Sequence, residues 1–246
     1  MSQTRPVVLV TGAARRVGAV IARTLHAAGY DLALHCRNSR TELDALMAEL
    51  ETRRPDSTLA LQADLVDAEC LPDLVDAALA RFGRLDALVN NASIFKATPA
   101  GTITSQASDA FFAVNARAPL LLAQAAAPHL KKSRGAIVNI TDIYAERPLP
   151  QHAAYCMSKA ALRMATLILA QELGPEVRVN AVAPGNVLWS ENPIKAETPQ
   201  TLVEQTALQR QGTPADIAGA VLWLIRDAVY VTGQTIRVDG GRILGA

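Results

Sequence analysis

Val7-Val8-Leu9-Val10-Thr11-Gly12-Ala13-Ala14-Arg15-Arg16-Val17-Gly18 is the stretch whose reading decides the fold. Four apolar residues without a polar alternation describe a strand covered on both faces. The chain then turns through Gly12 and enters a helical pattern over about 16–28. Gly12 permits the tight turn, and Gly18 permits close packing of helix on strand. The helix N-terminus would then aim free N–H groups and a positive dipole end at a pyrophosphate. Two glycines after a strand are a weak signal; their place at the first βα turn strengthens it. Arg16 stands where many dinucleotide turns carry a third glycine. It reads either as a tolerated surface residue or as a clamp on phosphate or substrate.

Working outward, similar short apolar runs recur at 31–35, 58–62, 87–89, 136–140, 177–182 and 235–238. Between them lie helix-length stretches at about 41–54, 67–82, 106–130, 153–174 and 214–227. Repeated strand–helix alternation implies right-handed crossovers. The expected fold is one α/β Rossmann-like domain over 1–246: a doubly wound, mostly parallel seven-stranded sheet with helices on both faces. Only about 184–200 lacks periodicity. It follows a strand's carboxyl end, where such folds bind ligands, so it is expected to be a substrate loop, with a plain surface excursion as the alternative.

Composition narrows the function. Half of the 246 residues are hydrophobic, 19% are charged, and the formal net charge is +1. That is enough apolar material for a large core, and it offers no global electrostatic argument for nucleic acid or an anionic membrane. No apolar run approaches the roughly 18 residues of a membrane span, and Met1–Pro6 precedes no secretory h-region. The three cysteines (Cys36, Cys70, Cys156) form no CxxC pair and fit free thiols in a reducing compartment. A cytoplasmic protein without bound metal is the expectation.

The end of the second strand sets the cofactor. An NAD-selective site usually places an acid there for the ribose hydroxyls. Here the segment reads His35-Cys36-Arg37-Asn38-Ser39. Arg37, Asn38 and Ser39 offer a cation and neutral donors for a 2′-phosphate, and Arg15 and Arg16 add positive potential, so NADPH is expected. Further on, Tyr155 and Lys159 lie four apart at the start of a helical stretch and so share a face. An ammonium beside a phenol is expected to lower the phenol's pKa from about 10 toward the operating range and make it a proton donor.

With these residues in view, the chain resembles the short-chain dehydrogenase/reductase family along essentially its whole length. The resemblance rests on Thr11–Gly18, Asp64-Leu65, Asn90-Asn91-Ala92, Asn115, Tyr155-x-x-x-Lys159, Pro184-Gly185, Thr232-Gly233 and Val238-Asp239-Gly240-Gly241. It implies that Asp64, with Leu65, holds the adenine, and that Asn91 and Ala92 back the nicotinamide ribose. Lys159 would bind ribose hydroxyls and tune Tyr155, Asn115 would hold a water of a proton relay, and Pro184 and Gly185 would line the cofactor. Members are commonly tetramers built through the long helices, so a homotetramer is expected.

One departure is informative. The family usually carries a catalytic Ser 13 residues before the Tyr; here that position is Asp142. An ionised carboxylate is acceptor-only and would repel a developing alkoxide. For a C=N bond the logic reverses, since an Asp–Tyr pair can relay a proton to the ring nitrogen. A carboxylate can also pair with the amino groups of a guanidine-like heterocycle. Asp in place of Ser distinguishes the pteridine reductase branch, which this chain also resembles in Arg16, in His35-x-x-x-Ser39 and in Asn90-Asn91-Ala92-Ser93-Ile94-Phe95. That branch implies that Ser93 and Arg16 touch cofactor phosphate or pterin, and that Phe95 sandwiches a flat ring against the nicotinamide. Asn38 departs from it, since the branch has Arg directly before Ser39. Leu188 and Trp189 are candidate substrate contacts.

The plainer readings stand beside these. Phe95 reads also as core, and Asp142 also as a local cap. His26, His129 and His152 lack metal-ligand spacing and are expected at the surface. Cys156 reads as core, and Glu146 and Arg147 read as pocket lining or as solvated loop charges. Three functions remain open: an NADPH-dependent pteridine reductase, a carbonyl reductase acting on ketones such as 3-oxoacyl substrates, and a non-catalytic NADP-sensing module.

Overall fold

The computed structural model describes residues 5–187 and 199–245. Its strands are β1 (Val7–Val10), β2 (Asp31–Cys36), β3 (Thr58–Gln62), β4 (Ala87–Asn90), β5 (Ala136–Ile140), β6 (Arg178–Pro184) and β7 (Thr235–Val238). They form one seven-stranded sheet in the order β3-β2-β1-β4-β5-β6-β7. Every pairing is parallel. The strand order reverses between β1 and β4, which opens a crevice at their carboxyl ends.

The helices are α1 (Arg16–Ala27), α2 (Arg40–Glu51), α3 (Leu71–Phe82), α4 (Ser105–Phe112), α5 (Ala118–Ser133), α6 (Ala153–Leu173), α7 (Pro199–Glu204) and α8 (Pro214–Arg226). They lie on both faces, which explains the unbroken apolar run of β1. Val8 and Val10 pack with Ile21 and Leu25 of α1, Leu43 of α2 and Val221 of α8. Val7 and Leu9 face the other way, onto Leu74 of α3, Leu122 of α5 and Leu169 of α6. Each such leucine contributes about 2 kcal/mol when fully buried.

The differences from the sequence expectation are local. The stretch at 106–130 is a single helical run, Ser105–Ser133, interrupted by one π turn at Ala113–Arg117. Hydrophobic periodicity does not reveal an i→i+5 turn, and this one carries Asn115 inward. Helix α3 starts later than 67, after turns in which Asp64 and Asp67 cap their own following N–H groups. The short helix α7 begins where the aperiodic stretch ends. Two of the three histidines expected at the surface, His26 and His152, are buried.

Candidate active site

The Gly12 turn is braced by its neighbours. The Thr11 hydroxyl oxygen accepts from the backbone N–H groups of Asn91 and Ala92, both at 3.0 Å. The Asn91 amide donates to the carbonyls of Thr11 at 2.9 Å and Gly12 at 3.0 Å. From the other side, the Gly12 N–H donates to Nδ1 of His35 at 3.3 Å, while Nε2 of His35 meets the Ala63 carbonyl at 3.1 Å. This pairing requires the neutral imidazole with its proton on Nε2. Burial, which pushes the His35 pKa down, favours the same form. His35 and the Asn91 side chain thus shape the turn from behind.

Gly18 owes its identity to the turn more than to helix–strand packing. A Cβ there would lie 2.1 Å from the Gly12 carbonyl oxygen and 2.6 Å from Nδ2 of Asn91. Gly18→Ala should therefore lower unfolding stability by about 2 kcal/mol and weaken dinucleotide binding in parallel. Chemical denaturation and a binding titration check this; wild-type affinity would mean that the turn yields freely. Arg16 adopts φ +54°, a left-handed conformation costing a non-glycine residue about 1 kcal/mol. Strain retained at a cleft residue is consistent with a role for its side chain.

A cleft of about 750 Å³ runs from this turn across the carboxyl ends of the strands. Gly12, Arg16, Val17 and Gly18 line one end together with His35, Arg37, Asn38 and Ser39. Asp64 and Leu65, which follow the edge strand β3, line it beyond Arg37, and Asn91, Ala92 and Ser93 after β4 and Pro184 and Gly185 at the end of β6 line it on the other side of β1. Gly185 admits no side chain, because a Cβ would stand 2.6 Å from that of Asp239. Phe95, Asp142, Tyr155 and Lys159 line it as well. Residues not foreseen there include Ala14, Ile94, Val114, Ile140, Tyr144 and Leu202. Leu202 comes from α7, which carried no periodic signal. Leu188 and Trp189 lie outside the described residues.

Asp142, Tyr155 and Lys159 meet as one group. The Tyr155 hydroxyl donates to Oδ2 of Asp142 at 2.5 Å, and the Tyr144 N–H donates to Oδ1 at 2.9 Å. Lys159 is 2% exposed, and its Nζ donates to the Ile140 carbonyl at 2.8 Å. It stands 5.9 Å from the centre of the Tyr155 ring. The expectation that Lys159 depresses the Tyr155 pKa is corrected here. Burial, reinforced by the adjacent Asp142 charge and hydrogen bond, pushes Tyr155 well above its usual value. The carboxylate touches the hydroxyl and the ammonium does not, so the nearer charge dominates. Burial also raises Asp142, against the hydrogen bonds it accepts, and lowers Lys159 to about 8, against the pull of Asp142.

Lys159 is therefore charged below about pH 8 and neutral above it. Turnover that relies on its charge should fall as pH rises through that value, which a kcat/KM profile would show. A flat profile to pH 9.5 would remove the ammonium from the chemistry.

Asn115 sits beside the cleft, not on its wall. It is fully buried, accepting from the Ile94 N–H at 2.8 Å and donating to the Ile94 carbonyl at 3.1 Å and to Ser158 Oγ at 3.0 Å. Ser93 Oγ lies 3.2 Å from its Oδ1. Its side chain thus holds the loop bearing Ser93 and Phe95. Phe95 combines both of its readings: it packs with Tyr155 and Phe111, and it also lines the cleft. Glu146 and Arg147 do not line it. Glu146 pairs with Arg163 and Arg237, and Arg147 donates to the carbonyls of Arg242 and Gly245.

This geometry agrees with comparisons to known proteins. A family model described as Enoyl-(Acyl carrier protein) reductase matches residues 12–242. A granaticin polyketide synthase putative ketoacyl reductase 2 from Streptomyces violaceoruber is 37% identical, over 96% of this chain and 95% of its own. Pteridine reductase 1 from Leishmania tarentolae is 36% identical, over 98% and 97%. Among solved structures, a blue fluorescent protein from a metagenomic library in complex with NADPH aligns at a TM-score of 0.90. It is 36% identical and covers 96% of this chain and 97% of that one. Likeness of this extent, in sequence and in fold, makes the chain a member of the short-chain dehydrogenase/reductase family and an NAD(P)-dependent oxidoreductase.

Proposed function

We propose that this protein reduces a ring C=N bond of a pterin, most directly a dihydropterin, with NADPH as reductant. The observation that carries the reading is the 2.5 Å hydrogen bond from Tyr155 to Asp142, where an alcohol side chain would suit a carbonyl substrate. The residues present fit NADPH. The glycine turn admits no Cβ at Gly18, and the cleft of about 750 Å³ carries Arg15, Arg16 and Arg37 in its lining for the phosphates. When bound, NADPH supplies the hydride.

The chain's own residues supply the proton. Tyr155, kept protonated by burial, passes its hydroxyl proton to the ring nitrogen next to the carbon being reduced. Two adjacent anions would result if Asp142 were then ionised, and that costs heavily in a buried site. The raised Asp142 pKa eases the difficulty: burial makes the carboxylate readier to take up a proton, which it can pass to the Tyr155 oxygen as the phenol gives up its own. The end state is a carboxylate accepting from a phenol, the arrangement the structure holds. Lys159 stabilises the transient phenolate, and Phe95 offers an aromatic face to a planar ring.

Carbonyl reduction is the second reading, and two observations favour it. The Streptomyces violaceoruber relative named for ketoacyl reduction is 37% identical over 96% of this chain. The burial that raises the Asp142 pKa also favours the neutral acid, the form that would donate to a carbonyl oxygen as Ser does. NADPH oxidation by purified protein against 7,8-dihydrobiopterin and a ketone panel separates the two. Pterin turnover with little ketone turnover is expected; the reverse would install the carbonyl reading. The proposal extends to a homotetramer joined through α5 and α6, where Leu120, Met157, Met164 and Ile168 stand exposed.

A further inference from the structure

Phe95 is carried by an irregular segment, residues 91–104, yet its ring makes two defined contacts. It meets Tyr155 edge-to-face at 4.8 Å and 89°, and stacks on His152 at 4.8 Å and 18°. His152 is 2% exposed and sits at the position that opens α6. Ser, Thr, Asp or Asn at such a position usually caps the helix. His152 makes no side-chain cap. Its Nδ1 lies instead 2.8 Å from the Pro150 carbonyl. A carbonyl can only accept, so Nδ1 carries the proton, and the bond fixes the plane of the imidazole.

The backbone around it is built to present that plane. Gln151 takes φ +63°, a left-handed conformation unfavourable for a side-chain-bearing residue. The Thr98 N–H donates to the Gln151 carbonyl at 2.6 Å, and Thr98 and His152 form an isolated parallel bridge. On the other side of Phe95, the Asn115 amide grips both the N–H and the carbonyl of Ile94. The segment is thus pinned before and after Phe95, and of the two rings that Phe95 meets the imidazole is the one lying along its face.

We propose that His152 is a positioning residue: its imidazole is the back plate that fixes the Phe95 ring, and through it the placement of a planar substrate against Tyr155. It rests on the proposed function only in taking Phe95 as the ring that meets substrate. An aromatic pair of this geometry contributes up to roughly tenfold in an equilibrium constant. Its loss should therefore appear in substrate KM more than in kcat, with NADPH affinity unaffected.

The test uses the full chain labelled with 4-fluorophenylalanine, which enters at four positions. Comparison with Phe95→Leu assigns the Phe95 fluorine resonance. In His152→Ala that resonance should shift and sharpen as the ring loses its neighbour, and KM for 7,8-dihydrobiopterin should rise about tenfold with kcat within about threefold. His152→Phe restores a stacking partner without the Nδ1 hydrogen bond and should bring KM back to within about twofold of wild type. An unmoved resonance in His152→Ala, an unchanged KM, or His152→Phe behaving as His152→Ala would each overturn the proposal. The fluorine measurement needs no substrate. A wild-type protein inert toward pterins would thus retire the substrate reading, while the resonance still decides the role of His152.

Discussion

Tyr155→Phe is expected to lower turnover by about a thousandfold while leaving the dissociation constant for NADPH within about twofold. The substitution removes one oxygen, the only hydrogen-bond donor the Tyr155 side chain has, and that donor is engaged by Asp142. The ring is 4% exposed and packs edge-on against Phe95, contacts that phenylalanine keeps, so the fold should persist. In the proposed mechanism, what disappears is the route by which a proton taken up by Asp142 would reach the substrate. Lys159, held by the Ile140 carbonyl, is undisturbed, so the cofactor side should not notice. Steady-state kinetics with a parallel titration of NADPH fluorescence decides the matter. Equal losses of turnover and affinity would show that the hydroxyl serves the shape of the site and not proton transfer.

Asp142→Ser should lower dihydropterin turnover by about a hundredfold and raise ketone turnover. The substituted hydroxyl is a neutral donor that can serve a developing alkoxide, but it cannot act as the proton reservoir behind Tyr155. The change also has a signature independent of substrate choice. The charge of Asp142 raises the pKa values of both Tyr155 and Lys159. Its removal should move the alkaline fall in kcat/KM from about pH 8 to lower pH, since Lys159 then loses its proton more readily. A limb that stays in place, with pterin turnover intact, would reduce Asp142 to a cap on the Tyr144 N–H.

Much of the site was readable because its parts are fixed by local rules. The apolar run of β1, Gly12 and Gly18 describe a strand, a turn and a helix start within twelve residues, and local backbone chemistry nearly decides that geometry. The Tyr155–Lys159 spacing puts both side chains on one face of any helix. Asp142 was identifiable as the partner of Tyr155 only through family resemblance, since thirteen residues of separation imply no contact without the fold.

What escaped the sequence depends on distances between remote segments. Lys159 was expected to govern Tyr155, yet the pKa follows the nearest charge and the local burial, and only the packed structure places Asp142 at the hydroxyl and Lys159 at a backbone carbonyl. His152 was expected at the surface because an isolated histidine shows no pattern; the segment bearing Phe95 is what buries it. Glu146 and Arg147 were ambiguous until Arg163, Arg237 and the 242–245 carbonyls came to them across the fold. The sequence alone determined the alternation of strands and helices and the glycine turn after β1, because periodicity and backbone preference act over a few residues. The tertiary structure alone decided which charge stands at the Tyr155 hydroxyl and which rings pack together, because electrostatics and packing act through space.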